Sequence, residues 1–279
     1  MLRTTFCLLA AVMLIAVPAD ADPLHLVACA PGYPGSTAQA QPTMDEFARL
    51  LESAAGWDQG QVTAEYQETE AGGVARIGNG VTQLALVPLP LFFKYQEQLD
   101  LQPIAQIVGP EGTATETWSL VAAAGRIDGP EALAGWTLMG IPAYSEAFVR
   151  GNLLGVWGTL PANVHLEFTR RVLAGVRRAT SGEDVAILLD GAQTAALASL
   201  PNADALEIVA TSGGVLMGLV VSVGGRLRDD QRATLVDGLL KVHENTAFGE
   251  VLSTIRVTRF STVDHATLAA GREAFDRAR

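Results

Sequence analysis

The sequence is poor in cysteine, in basic residues and in long apolar runs. Cys7 and Cys29 are the only thiols among 279 residues. Cys7 falls in an N-terminal leader, so Cys29 has no partner for an internal disulfide and a disulfide scaffold is excluded. Nineteen Lys and Arg stand against 30 Asp and Glu, a net charge of −11. With no basic stripe along the chain, nucleic acid and anionic lipid surfaces are excluded as partners. The imbalance is uneven: residues 22–116 hold twelve acids against Arg49, Arg76 and Lys94, and the remainder is nearly balanced. This acidic half reads as a solvated face. His25, His165, His243 and His265 lie far apart and never at paired metal-ligand spacing. The chain also lacks a Gly-x-Ser-x-Gly elbow, a phosphate-cradling glycine loop ending in Lys and a dinucleotide fingerprint. No catalytic residue, metal or cofactor is expected, and the chain reads as a non-enzyme; a secreted enzyme or sensor ectodomain is the second alternative, and would need a paired base and nucleophile.

What is present begins with Met1 to Ala21: one positive charge at Arg3, an apolar run from Phe6 to Val17, and the small-residue pattern Ala19-Asp20-Ala21. This is the pattern of a secretory signal peptide cleaved after Ala21. The run is about 12 residues, short of the roughly 20 that span a bilayer. A mature chain starting at Asp22, soluble in the periplasm and not inserted in the membrane, is expected. Leu26-Val27-Ala28-Cys29 also fits the box before a lipid-modified cysteine. Asp20, Asp22 and Pro23 separate it from the apolar run, however, and Leu24 to Ala30 reads better as a buried first strand.

Beyond the leader, short apolar runs alternate with helical patterns, which predicts an α/β protein of sheets flanked by helices. Strands are expected at Leu24 to Cys29, Val62 to Tyr66, Leu84 to Val87, Ile104 to Val108, Ser119 to Ala123, Thr137 to Ile141, Val164 to Phe168, Val185 to Leu189, Glu207 to Ala210 and Met217 to Val223. Met44, Phe47, Leu50, Leu51 and Ala54 share one helix face, and Leu235, Leu239, Leu240 and Val242 share another. The Gly, Pro, Thr and Glu run from Gly109 to Thr117 reads as a crossing between lobes, and Thr211-Ser212-Gly213-Gly214 as the return. One lobe then comprises residues 22–112 and 213–279, the other 113–212.

Ligands of open α/β sheets bind at the carboxyl ends of the strands, so the loops there supply the candidate site. After the first strand come Tyr33, Gly35, Ser36 and Thr37, where a hydroxyl caps a helix or meets a ligand. Pro88 and Leu89 follow the third strand as a rigid wall. In the second lobe, Tyr144 and Ser145 precede the helix carrying Phe148; Ser145 is placed to cap it or to grip an oxyanion. Asp190 closes a buried strand, free to cap the next helix or to accept from a ligand. Ser212 lies in the return crossing.

Together, Leu84-Ala85-Leu86-Val87-Pro88-Leu89-Pro90 with Lys94-Tyr95, the Trp118-Ser119-Leu120-Val121 strand, the Glu131-Ala132-Leu133-Ala134-Gly135 turn and Gly182-Glu183-Asp184-Val185-Ala186 resemble the phosphonate/phosphite-type substrate-binding proteins of ABC transporters. The similarity covers about residues 24 to 255. It implies a type II periplasmic-binding fold of two lobes, each a mostly parallel sheet flanked by helices, closing over a small-molecule ligand for delivery to a membrane permease. It also implies a phosphonate-like or other small oxyanion as ligand. Members place a Ser-Thr-Ser-Gly turn where this chain has Ala143-Tyr144-Ser145-Glu146, so one of the hydroxyls remains and a carboxylate replaces glycine. That departure, with Val87, Leu89, Tyr144, Val215, Leu216 and Met217 near the same loops, keeps a neutral or apolar lipid-like ligand as the alternative.

Overall fold

A computed structural model describes residues 23–33, 35–200 and 203–279. The leader, its cleavage point and the expected start at Asp22 lie outside the described residues.

The first sheet is built before the chain crosses over. β1 (Leu24–Cys29) leads through α1 (Thr37–Ala55) to β2 (Val62–Gln67), then through α2 (Glu70–Ile77) to β3 (Leu84–Pro88) and through α3 (Leu89–Leu99) to β4 (Leu101–Val108). Each helix returns the chain to the same end of the sheet, so β1 pairs in parallel with both β2 and β3. The α1 face expected from spacing is buried: Met44, Phe47, Leu50 and Leu51 pack beneath β1 and β2.

The chain then leaves the carboxyl end of β4. It makes β5 (Thr115–Glu116) and enters the second sheet at β6 (Ser119–Ala123), followed by β7 (Thr137–Gly140), β8 (His165–Phe168), α4 (Val172–Thr180), β9 (Val185–Leu189), α5 (Gly191–Ala196) and β10 (Leu206–Thr211). It returns through β11 (Val215–Leu216) to β12 (Gly218–Val223), α6 (Asp229–Lys241), α7 (Gly249–Thr254), β13 (Arg259–Ser261) and α8 (His265–Arg277).

The strand orders are β13-β4-β12-β3-β1-β2 and β10-β6-β9-β7-β8. Each crossing delivers its strand from the cleft end, so β12 runs against β3 and β4, and β6 against β9 and β10. β13 is also antiparallel to β4. The remaining strands of each sheet share one direction. β5 and β11 pair with each other, Val215 opposite Glu116, as a two-stranded ribbon between the sheets. Ser212 ties it: its N–H donates to the Trp118 carbonyl at 2.8 Å, and its hydroxyl accepts from the Trp118 N–H at 2.9 Å.

Three strands escaped the sequence reading, β5, β11 and β13, each two or three residues long. Cys29 lies in β1, fully buried, with burial raising its thiol to about 12. The final helix lies at both lobes. Leu268 and Phe275 face inward; Arg272 donates to the Phe93 carbonyl at 2.9 Å, while the Gly271 carbonyl accepts from Asn152 at 2.8 Å. Among the described residues, no helix is long and apolar enough to cross a membrane.

Candidate functional site

The carboxyl ends of β1 and β3 in one lobe face that of β7 in the other, and the loops beyond them touch. Gly32 has φ +89°, and a Cβ there would stand 2.8 Å from Ile141 and 3.1 Å from Phe168. Glycine is required twice over, for the left-handed backbone and for the approach of the lobes. Lys94, on α3, donates to the Tyr144 carbonyl at 2.8 Å and pairs with Glu70 at 2.6 Å, while the Tyr95 hydroxyl donates to Glu70 at 2.8 Å. The Phe93 and Phe148 rings meet with centroids 6.4 Å apart. The lobes are closed on one another.

Between them lies a pocket of about 20 Å³, lined by Pro31, Tyr33, Pro88 and Pro90 from the first lobe, Ile141, Pro142, Tyr144 and Phe148 from the second, and Glu116, Trp118, Leu216 and Met217 around the ribbon. That is room for about one water. Even a small ligand requires the lobes to part. A larger cavity of about 610 Å³ opens at Pro23, Trp57 and Arg228. It sits at the amino end of β1, opposite the edge where strand-following loops gather, and its walls come from one lobe.

The pocket's electrostatics are one-sided, since none of its lining residues is basic. Burial, then repulsion from Asp190, pushes the Glu116 carboxyl up to about 7, against a hydrogen bond from Trp118 and the positive charge of Arg256. Burial, with Glu116 and Asp190 adding to it, raises the Tyr33 phenol above its ordinary range. Burial also raises Tyr144, whose hydroxyl has no hydrogen-bond partner. The adjacent Ser145 hydroxyl is likewise buried and without a partner.

Of the residues expected from sequence, Tyr33, Pro88 and Tyr144 come together around the pocket. Leu89 is buried in the core, and Pro90 takes the wall position. Ser36 caps α1 in a reciprocal box with Gln39, and Thr37 is the first helical residue; neither lines the pocket. Asp190 caps α5 through the same device with Gln193, buried, with the exposed Arg256 guanidinium 4.0 Å away. Ser212 holds the ribbon. Ser145 does not cap the following helix: the chain makes a 3₁₀ turn, Ile141–Tyr144, then a wide turn, Phe148–Leu153, and the serine carbonyl, not its hydroxyl, accepts from Val149. Glu146 points outward, 64% exposed and paired with Arg150 at 2.7 Å. Sequence reasoning missed Glu116, Trp118 and Lys94. Glu116 and Trp118 sit in or beside a polar run that reads as linker, and only the ribbon pairing turns them inward.

Two lobes joined by a double crossing, with reversed strands after each crossing and a pocket between, define a periplasmic binding protein of type II. The chain belongs to the family described as ABC transporter, phosphonate, periplasmic substrate-binding protein, a model of which matches residues 33–268. No curated protein sequence matches it. Among solved structures, it is similar to XAC2383 from Xanthomonas citri bound to ATP, with a TM-score of 0.71 at 13% identity over 93% of this chain and 98% of that one. A binding protein component of an ABC phosphonate transporter from Pseudomonas aeruginosa gives 0.65 at 16% identity, over 92% and 88%. PhnD1 from Prochlorococcus marinus in complex with methylphosphonate gives 0.58 at 13%, over 92% and 98%.

Proposed function

We propose that this protein captures a small oxyanion, phosphonate-like in class, between lobes comprising residues 22–112 with 213–279 and residues 113–212, and delivers it in the periplasm to the membrane permease of an ABC transporter. It performs no chemistry on the ligand. The observation that carries the reading is the buried, unpartnered Tyr144 hydroxyl on the pocket wall; the Ser145 hydroxyl beside it is also unpartnered but lies outside the pocket lining. An unsatisfied buried polar group costs about 1–3 kcal/mol, so the Tyr144 hydroxyl gains by meeting an acceptor oxygen. Glu146, the carboxylate that replaces the family's glycine, faces solvent and pairs with Arg150.

The second reading, a neutral or apolar ligand, draws on the walls of the same pocket: Pro31, Pro88, Pro90, Ile141, Leu216 and Met217. A thermal-shift panel separates the two, because a ligand at 100 times its Kd stabilises the folded state by about 2.7 kcal/mol. Phosphate, phosphite, methylphosphonate and alkyl sulfonates are run beside detergent-solubilised lipids. Shifts with the oxyanions alone are expected; a shift with lipids alone ends the oxyanion reading.

A further inference from the structure

An anion captured in this pocket must be reconciled with Glu116, which lines it where no basic side chain does. The groups around Glu116 come from every neighbouring element. Asp190 caps α5, Tyr33 reaches in from the loop after β1, and Trp118 donates from beyond β5. Tyr144 borders the same pocket on the far lobe, and on β11 the residue opposite is Val215. Among the described residues, the cation acting on Glu116 is Arg256, which is 48% exposed and lies against Asp190 at 4.0 Å. An ionised Glu116 would face a second carboxylate on one side and the incoming anion on the other, in a pocket with room for about one water.

We infer that Glu116 is a specificity-determining residue that enters the closed complex as the neutral acid, donating its proton as a hydrogen bond to an oxygen of the ligand. This rests on the oxyanion reading and deepens it. The pocket then offers three hydroxyl donors, Glu116, Tyr144 and Tyr33, and recognises an anion by hydrogen bonds without a full positive charge. The position of Glu116 on the ribbon links protonation to closure, since the carboxyl is enclosed when the two lobes meet. It also matches the direction in which burial and Asp190 already move this carboxyl, up to about 7. A proton must therefore be taken from solution whenever the ligand is captured above that pH, and affinity should fall about tenfold per pH unit there.

The test is calorimetric titration of methylphosphonate into the mature protein and into Glu116→Gln, at pH 6 and pH 8, each in two buffers of different ionisation heat. The ligand's own titration is common to both proteins and cancels in the difference. At pH 8 the wild type should take up close to one proton more than Glu116→Gln, and its affinity should fall between pH 6 and 8 by about tenfold more than that of the variant. Equal uptake by the two proteins, or release of a proton, overturns the inference while leaving capture of the anion standing. No binding of methylphosphonate to the wild type at pH 6 removes the oxyanion reading and this inference with it. The carboxyl carbon shift of Glu116 in the wild-type complex is an independent measure: a neutral-acid shift at pH 7.5 is expected, and a carboxylate shift overturns the proposal even if the variant does not fold.

Discussion

Glu116 also makes a claim on the ligand-free protein. Its carboxyl is held at about 7 in the closed fold, against an ordinary value of 4.5. The interval, at 1.36 kcal/mol per pH unit, amounts to about 3 kcal/mol. Because the folded value is raised, the native state binds the extra proton between the two values. The contribution of Glu116 to stability is therefore greatest at or below pH 4.5, declines as pH rises from 4.5 to 7, and is flat above 7. Glu116→Gln keeps the shape and removes the titration. Urea unfolding of both proteins at half-unit steps from pH 4 to 8.5 isolates the effect of Glu116 and its coupling to Asp190, since the carboxylates away from this pair contribute equally to both. The variant should be indistinguishable near pH 4, once allowance is made for any constant offset, and more stable by up to about 3 kcal/mol at pH 8. Time spent open hydrates the carboxyl and lowers that figure in proportion. Parallel profiles across the whole range would show that Glu116 is not enclosed with Asp190 in the free protein, and the reasoning would fail.

Four further outcomes follow from the same structure. Tyr144→Phe removes a buried hydroxyl with no partner, so the ligand-free protein should hold its stability or gain about 1 kcal/mol, while methylphosphonate binding weakens by about 1–2 kcal/mol; denaturation and calorimetry on one preparation read both. Lys94→Met deletes the ammonium that joins Glu70 to the Tyr144 carbonyl, and a pair of distance labels across the cleft should report a larger open fraction than in the wild type. Gly238→Ala would drive a Cβ into the Ala54 backbone carbonyl where α6 crosses α1, which no rotamer relieves, and should cost about 1–3 kcal/mol in urea. Asp190→Ala should cost about 1 kcal/mol of stability through the lost cap of α5.

Much of the fold was legible because its signals are local. β1, β6 and β9 were readable to the residue: each is a mostly apolar run, largely buried, and β9 is buried throughout. Gly56, directly after the apolar stripe, ends α1 in the left-handed conformation that glycine allows. β5 and β11 were not legible, since two-residue strands exist only through pairing between segments about a hundred positions apart. The site divides the same way. Tyr33 and Tyr144 follow strands and were found from that position alone. Ser36 and Asp190 follow strands too, but each spends its side chain on a helix cap, a choice that composition does not reveal. Ser145 was expected to cap, and a tighter turn before it followed by a wider one after it left its hydroxyl free. Glu116 falls in the Gly109 to Thr117 run that reads as a crossing between lobes, because its place in the pocket depends on the lobe across the cleft.

The most direct test of capture between the lobes is the position of phosphorus in a co-crystal with methylphosphonate. The account predicts it enclosed by Tyr33, Glu116 and Trp118 on one side and Tyr144 on the other, with an oxygen within hydrogen-bond distance of the Tyr144 hydroxyl. Phosphorus in the open cavity at Trp57 and Arg228 instead, with the space between the lobes unfilled, would contradict it.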